Sequence, residues 1–244
     1  MTRPEFYDEC RRNAADMAAD SHVRKLTMEW ILATQRYKYT YNFRWLGRPI
    51  IQLPPDIIAL QEIIWDVKPD LIVETGVAHG GSAVFFASQL ELLKNDGIVV
   101  AVDIEIRPDN RAALENHPLA HRLRLVEGSS IDASTIAEVK ALAKNRKRAV
   151  VVLDSNHTHA HVLEELRSYS PLVKAGSYVV VLDTIIEDFP AGTFPDRPWD
   201  KGDNPKTAVH AFLADNDRFI IDKERENPLL MTVAPDGYLK CIRD

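Results

Sequence analysis

Five short apolar runs alternate with helix-forming stretches between residues 71 and 182, and this constrains the chain more than any other feature. The runs are Leu71-Ile-Val73, Gly97-Ile-Val-Val-Ala-Val102, Arg122-Leu-Arg-Leu-Val126, Ala149-Val-Val-Val-Leu153 and Ser177-Tyr-Val-Val-Val-Leu182. Helical patterns fall at 83–93, 135–143 and 162–169. Strands that are apolar on both faces must be covered on both faces, so the pattern predicts an α/β fold with a parallel sheet between helices. A chain of 244 residues with 45% apolar content has enough material for one such core.

The flanks read differently. Residues 5–20 predict a helix, and 37–45 form an aromatic run from Tyr37 to Trp45. Leu46-Gly-Arg-Pro49 breaks that run, and Pro54-Pro-Asp56 opens a helix over Ile57–Asp66. Residues 187–206, rich in Pro, Gly and Asp, predict a long surface loop. A helix over Lys206–Ala214 and strands over Arg218–Asp222, Leu230–Val233 and Tyr238–Ile242 follow. The turn Ala234-Pro-Asp-Gly237 predicts an antiparallel hairpin between the last two. Residues 1–50 thus form an N-terminal segment, a substrate cover or an oligomer contact, ahead of a catalytic domain over 51–244.

In open α/β sheets ligands sit at the carboxyl ends of the strands. The first strand here ends in Glu74-Thr-Gly-Val-Ala-His-Gly-Gly-Ser82. Gly76 allows a sharp turn, and Gly80 and Gly81 give room for a close backbone approach. The G-x-x-x-G-G spacing departs from the G-x-G-x-x-G of dinucleotide folds and so disfavours NAD, the second choice. Asp103, ending the second strand, suits ribose hydroxyls. Glu127-Gly-Ser-Ser130 ends the third, with Ser129 and Ser130 where an adenine can rest. Together these ends point to S-adenosylmethionine, whose carboxylate suits backbone N–H groups at a helix start.

Asp154 and Asp183 end the fourth and fifth strands at the same edge. Two crowded carboxylates need a cation or a shared proton, and oxygen ligands suit Mg²⁺ or Mn²⁺. Such an ion lowers the pKa of a substrate hydroxyl. His157, three residues past Asp154, is the candidate base. The i,i+4 pair His157 and His161 also allows a zinc face, although no cysteine lies near. His79, His159 and His161 have no assigned role, and Glu187 and Asp188 are either a third ligand or loop charges.

These runs resemble a known family. Asp154-Ser-Asn-His-Thr-His-Ala-His-Val-Leu-Glu-Glu-Leu166, the Glu74–Ser82 turn, Asp183-Thr-Ile-Ile-Glu-Asp188 and Val233-Ala-Pro-Asp-Gly-Tyr-Leu239 resemble the cephalosporin hydroxylase/rhamnosyl O-methyltransferase family over roughly residues 50–242. The resemblance implies a Rossmann-like class I methyltransferase: a mostly parallel seven-stranded sheet with helices on both faces and a C-terminal antiparallel hairpin. It implies metal-dependent O-methyl transfer from S-adenosylmethionine to a sugar, glycoside or natural-product hydroxyl. Metal ligands would be Asp154 and Asp183, and cofactor contacts Glu74, Gly76, Gly80, Ser82, Asp103 and Ser130. Some members carry adjacent acids at both strand ends; here Ser155 follows Asp154 and Leu182 precedes Asp183, leaving the third ligand to Glu187, Asp188 or water. Family members tend to be oligomers, which implies at least a dimer.

Two other functions fit fewer of these features. A hydroxylase would need an iron triad such as His157, His161 and Asp154, which leaves the glycine turn without a purpose. A non-catalytic binding partner would not need Asp154, His157 and Asp183 together. A net charge of −6 without a basic stripe argues against nucleic acid. No apolar run reaches the roughly 18 residues of a membrane span, and the first residues lack a signal core. Cys10 and Cys241, at opposite ends, make no disulfide framework, so a cytoplasmic setting is expected.

Overall fold

The computed structural model describes residues 2–244. Two N-terminal helices, α1 (Arg3–Ala19) and α2 (Ser21–Gln35), lead into a hairpin of β1 (Phe43–Trp45) and β2 (Arg48–Ile50). Thr2 caps α1 in a reciprocal box with Glu5, and Asp20 caps α2 by accepting from the amides of His22 and Val23. There follow α3 (Pro54–Val67), β3 (Leu71–Thr75), α4 (Gly81–Leu92), β4 (Ile98–Asp103), α5 (Pro108–Glu115), β5 (Leu123–Glu127), α6 (Ala133–Ala143), β6 (Ala149–Leu153), α7 (His159–Tyr169) and β7 (Tyr178–Val181). The chain closes with α8 (Pro205–Ala214), β8 (Phe219–Ile221), α9 (Lys223–Glu226) and β9 (Tyr238–Cys241). Among the described residues no helix is long and apolar enough to cross a membrane.

Seven strands form one sheet in the order β5-β4-β3-β6-β7-β9-β8. The first five are mutually parallel, and β9 runs antiparallel to both its neighbours. Period-two alternation divides the strand side chains between two cores. Ile72, Val99, Val150, Val152 and Val180 pack against α3 and α4. Val73, Val100, Val151, Leu153 and Val181 pack on the other face, with Leu166 of α7 and Phe212 of α8. These side chains are almost completely buried, each contributing about 1.5–3 kcal/mol of apolar burial.

The C-terminal pairing differs from the sequence expectation. Leu230–Val233 is not a strand, and β9 pairs with β8 and β7. The turn Ala234–Gly237 forms, with Asp236 at φ 65° and Gly237 N–H donating to the Ala234 carbonyl at 2.9 Å. The preceding residues are captured elsewhere. The buried Asp56 carboxylate of α3 accepts from the Val233 amide (2.9 Å), the Tyr238 hydroxyl (2.7 Å) and the Thr232 hydroxyl, and Leu230 sits at φ 48°. A backbone whose amide goes to Asp56 cannot also give it to a strand ladder.

Burial pushes the Asp56 carboxyl up to about 6, against the opposing pull of its three donors. A carboxyl that holds its proton more tightly folded than unfolded stabilises the fold below its ordinary value near 3.8, and that contribution is lost as pH rises through about 6. Asp56→Ala should cost about 3 kcal/mol, because three buried donors lose their acceptor. Asp56→Asn should cost less and flatten the change in thermal midpoint between pH 4 and 7. Melts across that range check both.

Candidate active site

The sheet places its functional side chains by register. Thr75 pairs with Val102 on one side and Leu153 on the other, and Asp103 pairs with Glu127. Chain connections leave in opposite directions from β3, so the crevice between β3 and β6 is a topological switch point. A cavity of about 620 Å³ opens there. Gly76, Asp103, Ser129, Ser130, Asp154 and Asp183 line its sheet side. Trp30, Ile31 and Tyr39 of the N-terminal segment, with Phe189, Phe194 and Trp199 of the loop after β7, contribute aromatic and apolar side chains to its wall.

Asp154, His157 and Asp183 come together as expected: one candidate ligand atom from each lies within 4.8 Å of the others. His157 Nε2 is 3.1 Å from Asp183 Oδ2. Asp183 sits at φ 55°, a left-handed conformation that a β-branched residue would resist and an Asp tolerates. Burial drives the Asp154 carboxyl well above the usual carboxylate range, and the Asp183, Glu74, Glu165 and Asp56 carboxylates push it further. Among the described residues no Lys or Arg pairs with Asp154 or Asp183. The Gln52 amide donates to Asp154 Oδ2 at 3.4 Å. Five carboxyl groups gathered without a compensating cation are suited to a bound positive charge.

The glycine turn is built differently from its sequence reading. A Cβ on Gly81 would lie 2.1 Å from the Pro49 carbonyl, and one on Gly80 would meet Leu114 at 2.6 Å. The missing Cβ at each makes room for the chain's own packing, and neither residue lines the cavity. Gly76 serves both purposes: it lines the cavity, and a Cβ there would meet the Asp154 carbonyl at 2.1 Å. Glu74 and Ser82 also lie off the cavity surface. Glu74 is buried behind it with Oε2 unpartnered, and burial pushes its carboxyl up to about 8. Asp103 lines the cavity while its Oδ2 accepts from the amides of Val77 (2.7 Å) and Ala78 (3.0 Å), which fixes the turn.

The two less favoured metal arrangements do not assemble. Helix α7 begins at His159 with Thr158 as its cap, so His157 lies outside the helix and shares no i,i+4 face with His161. His161 Nε2 instead contacts Ser130 Oγ (2.9 Å) and Ser155 Oγ (3.2 Å). This removes both the zinc face and the iron triad of His157, His161 and Asp154. Glu187 accepts from the Gly202 amide (2.8 Å) and the Asn204 side chain (2.5 Å), and Asp188 pairs with Lys206 (2.6 Å), so neither is a third ligand in this arrangement. His159 donates its backbone N–H to Asp203 (2.7 Å) and its ring meets Thr207 (2.8 Å). The His79 carbonyl accepts from Arg48 (2.7 Å), and the residue does not line the cavity.

Sequence reasoning missed Gln52, Arg48, α2 and Trp199. Their roles depend on contacts far apart in the chain, such as Gln52 to Asp154, which no local pattern announces.

The chain matches the family model described as Rhamnosyl O-methyltransferase/CmcI over residues 37–242. A rhamnosyl O-methyltransferase of Mycobacterium tuberculosis (strain ATCC 25618 / H37Rv) is 34% identical over 188 residues, covering 75% of this chain and 72% of that protein. One from Mycobacterium leprae (strain TN) is 30% identical over 217 residues, covering 85% and 90%. Among solved structures, a CmcI Mg-SAM chain superposes with a TM-score of 0.58 at 18% identity, over 83% of this chain and 77% of that one, a likeness of fold.

Proposed function

The chain belongs to the Rhamnosyl O-methyltransferase/CmcI family, and on that premise we propose that it transfers a methyl group from S-adenosylmethionine to a hydroxyl of a sugar or glycoside, with a divalent metal. The observation that carries the reading is the Asp154–His157–Asp183 cluster at the switch-point cavity. The rhamnosyl acceptor of the mycobacterial relatives and the Mg and SAM of the CmcI structure support it.

A divalent ion held by Asp154 and Asp183 would supply the charge that lowers the pKa of the acceptor hydroxyl. The residues supply the rest. Gly76, Asp103, Ser129 and Ser130 line the same cavity as the cluster, and these residues would hold S-adenosylmethionine. The surrounding carboxyl groups favour that positive charge. His157, whose Nε2 lies 3.1 Å from Asp183 Oδ2, is the ring that takes the hydroxyl proton. In-line attack of the oxygen on the methyl carbon is then a matter of alignment. Residues 1–50 act as an acceptor cover through Trp30 and Tyr39 at the cavity wall. A homo-oligomer, cytoplasmic in location, fits the same reading.

Titration calorimetry with S-adenosylmethionine, with and without Mg²⁺, tests the cofactor half. Saturable binding with one site per chain is expected. An absence of binding under both conditions would overturn it.

A further inference from the structure

The loop between β7 and α8 has no helix or strand after Asp188, yet it is fastened at several points. Glu187 holds Gly202 and Asn204, and the Asp200 carboxylate accepts from the Gly192 amide at 2.7 Å. The backbones of Asp200 and Asp203 exchange two hydrogen bonds, of 3.1 and 3.0 Å. Asp203 also caps the start of α7 through the His159 amide. One hydrogen-bonded frame therefore joins the residues after Asp183, the loop, and the helix that follows His157. It delivers a half-buried Trp199 to the cavity wall, with the indole and the His157 ring T-shaped at 4.7 Å and 85°. The Arg197 guanidinium lies over that indole, 5.3 Å from its centroid.

We propose that Trp199 is the positioning residue of the acceptor subsite, restraining the His157 ring and giving the acceptor's sugar ring an apolar surface to lie on. The inference rests on the sugar O-methyltransferase reading. His157 Nε2 lies 3.1 Å from Asp183 Oδ2, and a contact at one atom does not fix a ring's tilt. The perpendicular indole supplies the second restraint. A pyranose presents axial C–H bonds on its faces and hydroxyls around its rim. An indole beside Asp183 and His157 thus meets the C–H surface while the rim hydroxyl reaches the polar cluster. Arg197 adds donors for neighbouring hydroxyls.

The test compares the intact protein with its Trp199→Ala and Trp199→Phe variants. Binding of p-nitrophenyl α-L-rhamnopyranoside is measured by calorimetry at saturating S-adenosylhomocysteine, alongside methyl transfer to the same glycoside and the Kd for S-adenosylmethionine. In Trp199→Ala, glycoside binding should weaken at least ~10-fold and kcat should fall at least ~10-fold, as for a lost aromatic anchor. The S-adenosylmethionine Kd should stay within about twofold, and Trp199→Phe should recover most of both losses. Glycoside binding and kcat in Trp199→Ala within about twofold of the parent would overturn the proposal. So would a parallel fall in cofactor affinity without rescue by Phe, which marks a structural role. Failure of the parent to bind the rhamnoside would overturn the sugar surface. Failure of the parent to bind S-adenosylmethionine would instead overturn the broader reading of the site.

Discussion

Asp154→Asn is expected to lower methyl transfer at least ~10³-fold while raising the thermal midpoint of the metal-free protein. The two effects share one cause. Burial and four neighbouring carboxyl groups make an ionised Asp154 unfavourable in the folded chain. A carboxyl whose folded pKa is raised contributes stability only at low pH and loses it as pH rises. At pH 7 the neutral amide removes that burden, by a few degrees in midpoint at about 2–4 °C per kcal/mol for a chain of this size. The same change removes the charge that would hold a cation next to Asp183, so activity falls as stability rises. An ordinary packing residue would lose both. Thermal melts in EDTA and initial rates in Mg²⁺, measured on the same preparation, separate the cases. A variant with near-normal turnover would rule Asp154 out.

His157→Gln is the second large effect, expected at ~10²–10⁴-fold in kcat with little change in the Kd for S-adenosylmethionine. Glutamine keeps a polar side chain beside Asp183 but has no ring nitrogen to accept a proton. Because a ring nitrogen of His157 lies within 4.8 Å of a carboxylate oxygen of each aspartate, metal affinity must be measured in the same variant. A base leaves Mg²⁺ affinity near that of the parent. A ligand would weaken it in proportion to the loss of rate, and that outcome would move His157 from proton acceptor to metal holder.

Much of this geometry was legible in the sequence, for identifiable reasons. Asp103, Asp154 and Asp183 each follow an apolar run, and a parallel sheet in register must bring such residues to one edge. The five parallel strands were legible because each carries apolar residues for both faces. Where the sequence misleads, the causes are equally identifiable. Leu230–Val233 looks like a strand before a turn, but Asp56, far back in the chain, claims the Val233 amide. Gly80 and Gly81 look like ligand room, but Leu114 and Pro49 fill the space. His157 and His161 have helical spacing, but the helix starts only at His159. Helix α2, Gln52 and Trp199 carry no local signal, because their value lies in what the fold sets opposite them.

Methyl transfer from labelled S-adenosylmethionine to a rhamnoside, with EDTA and then with Mg²⁺ or Mn²⁺ restored, tests the central claim most directly. The account predicts that turnover disappears in EDTA and returns with the metal, yielding a methyl ether on one sugar hydroxyl. Undiminished turnover in EDTA would contradict it.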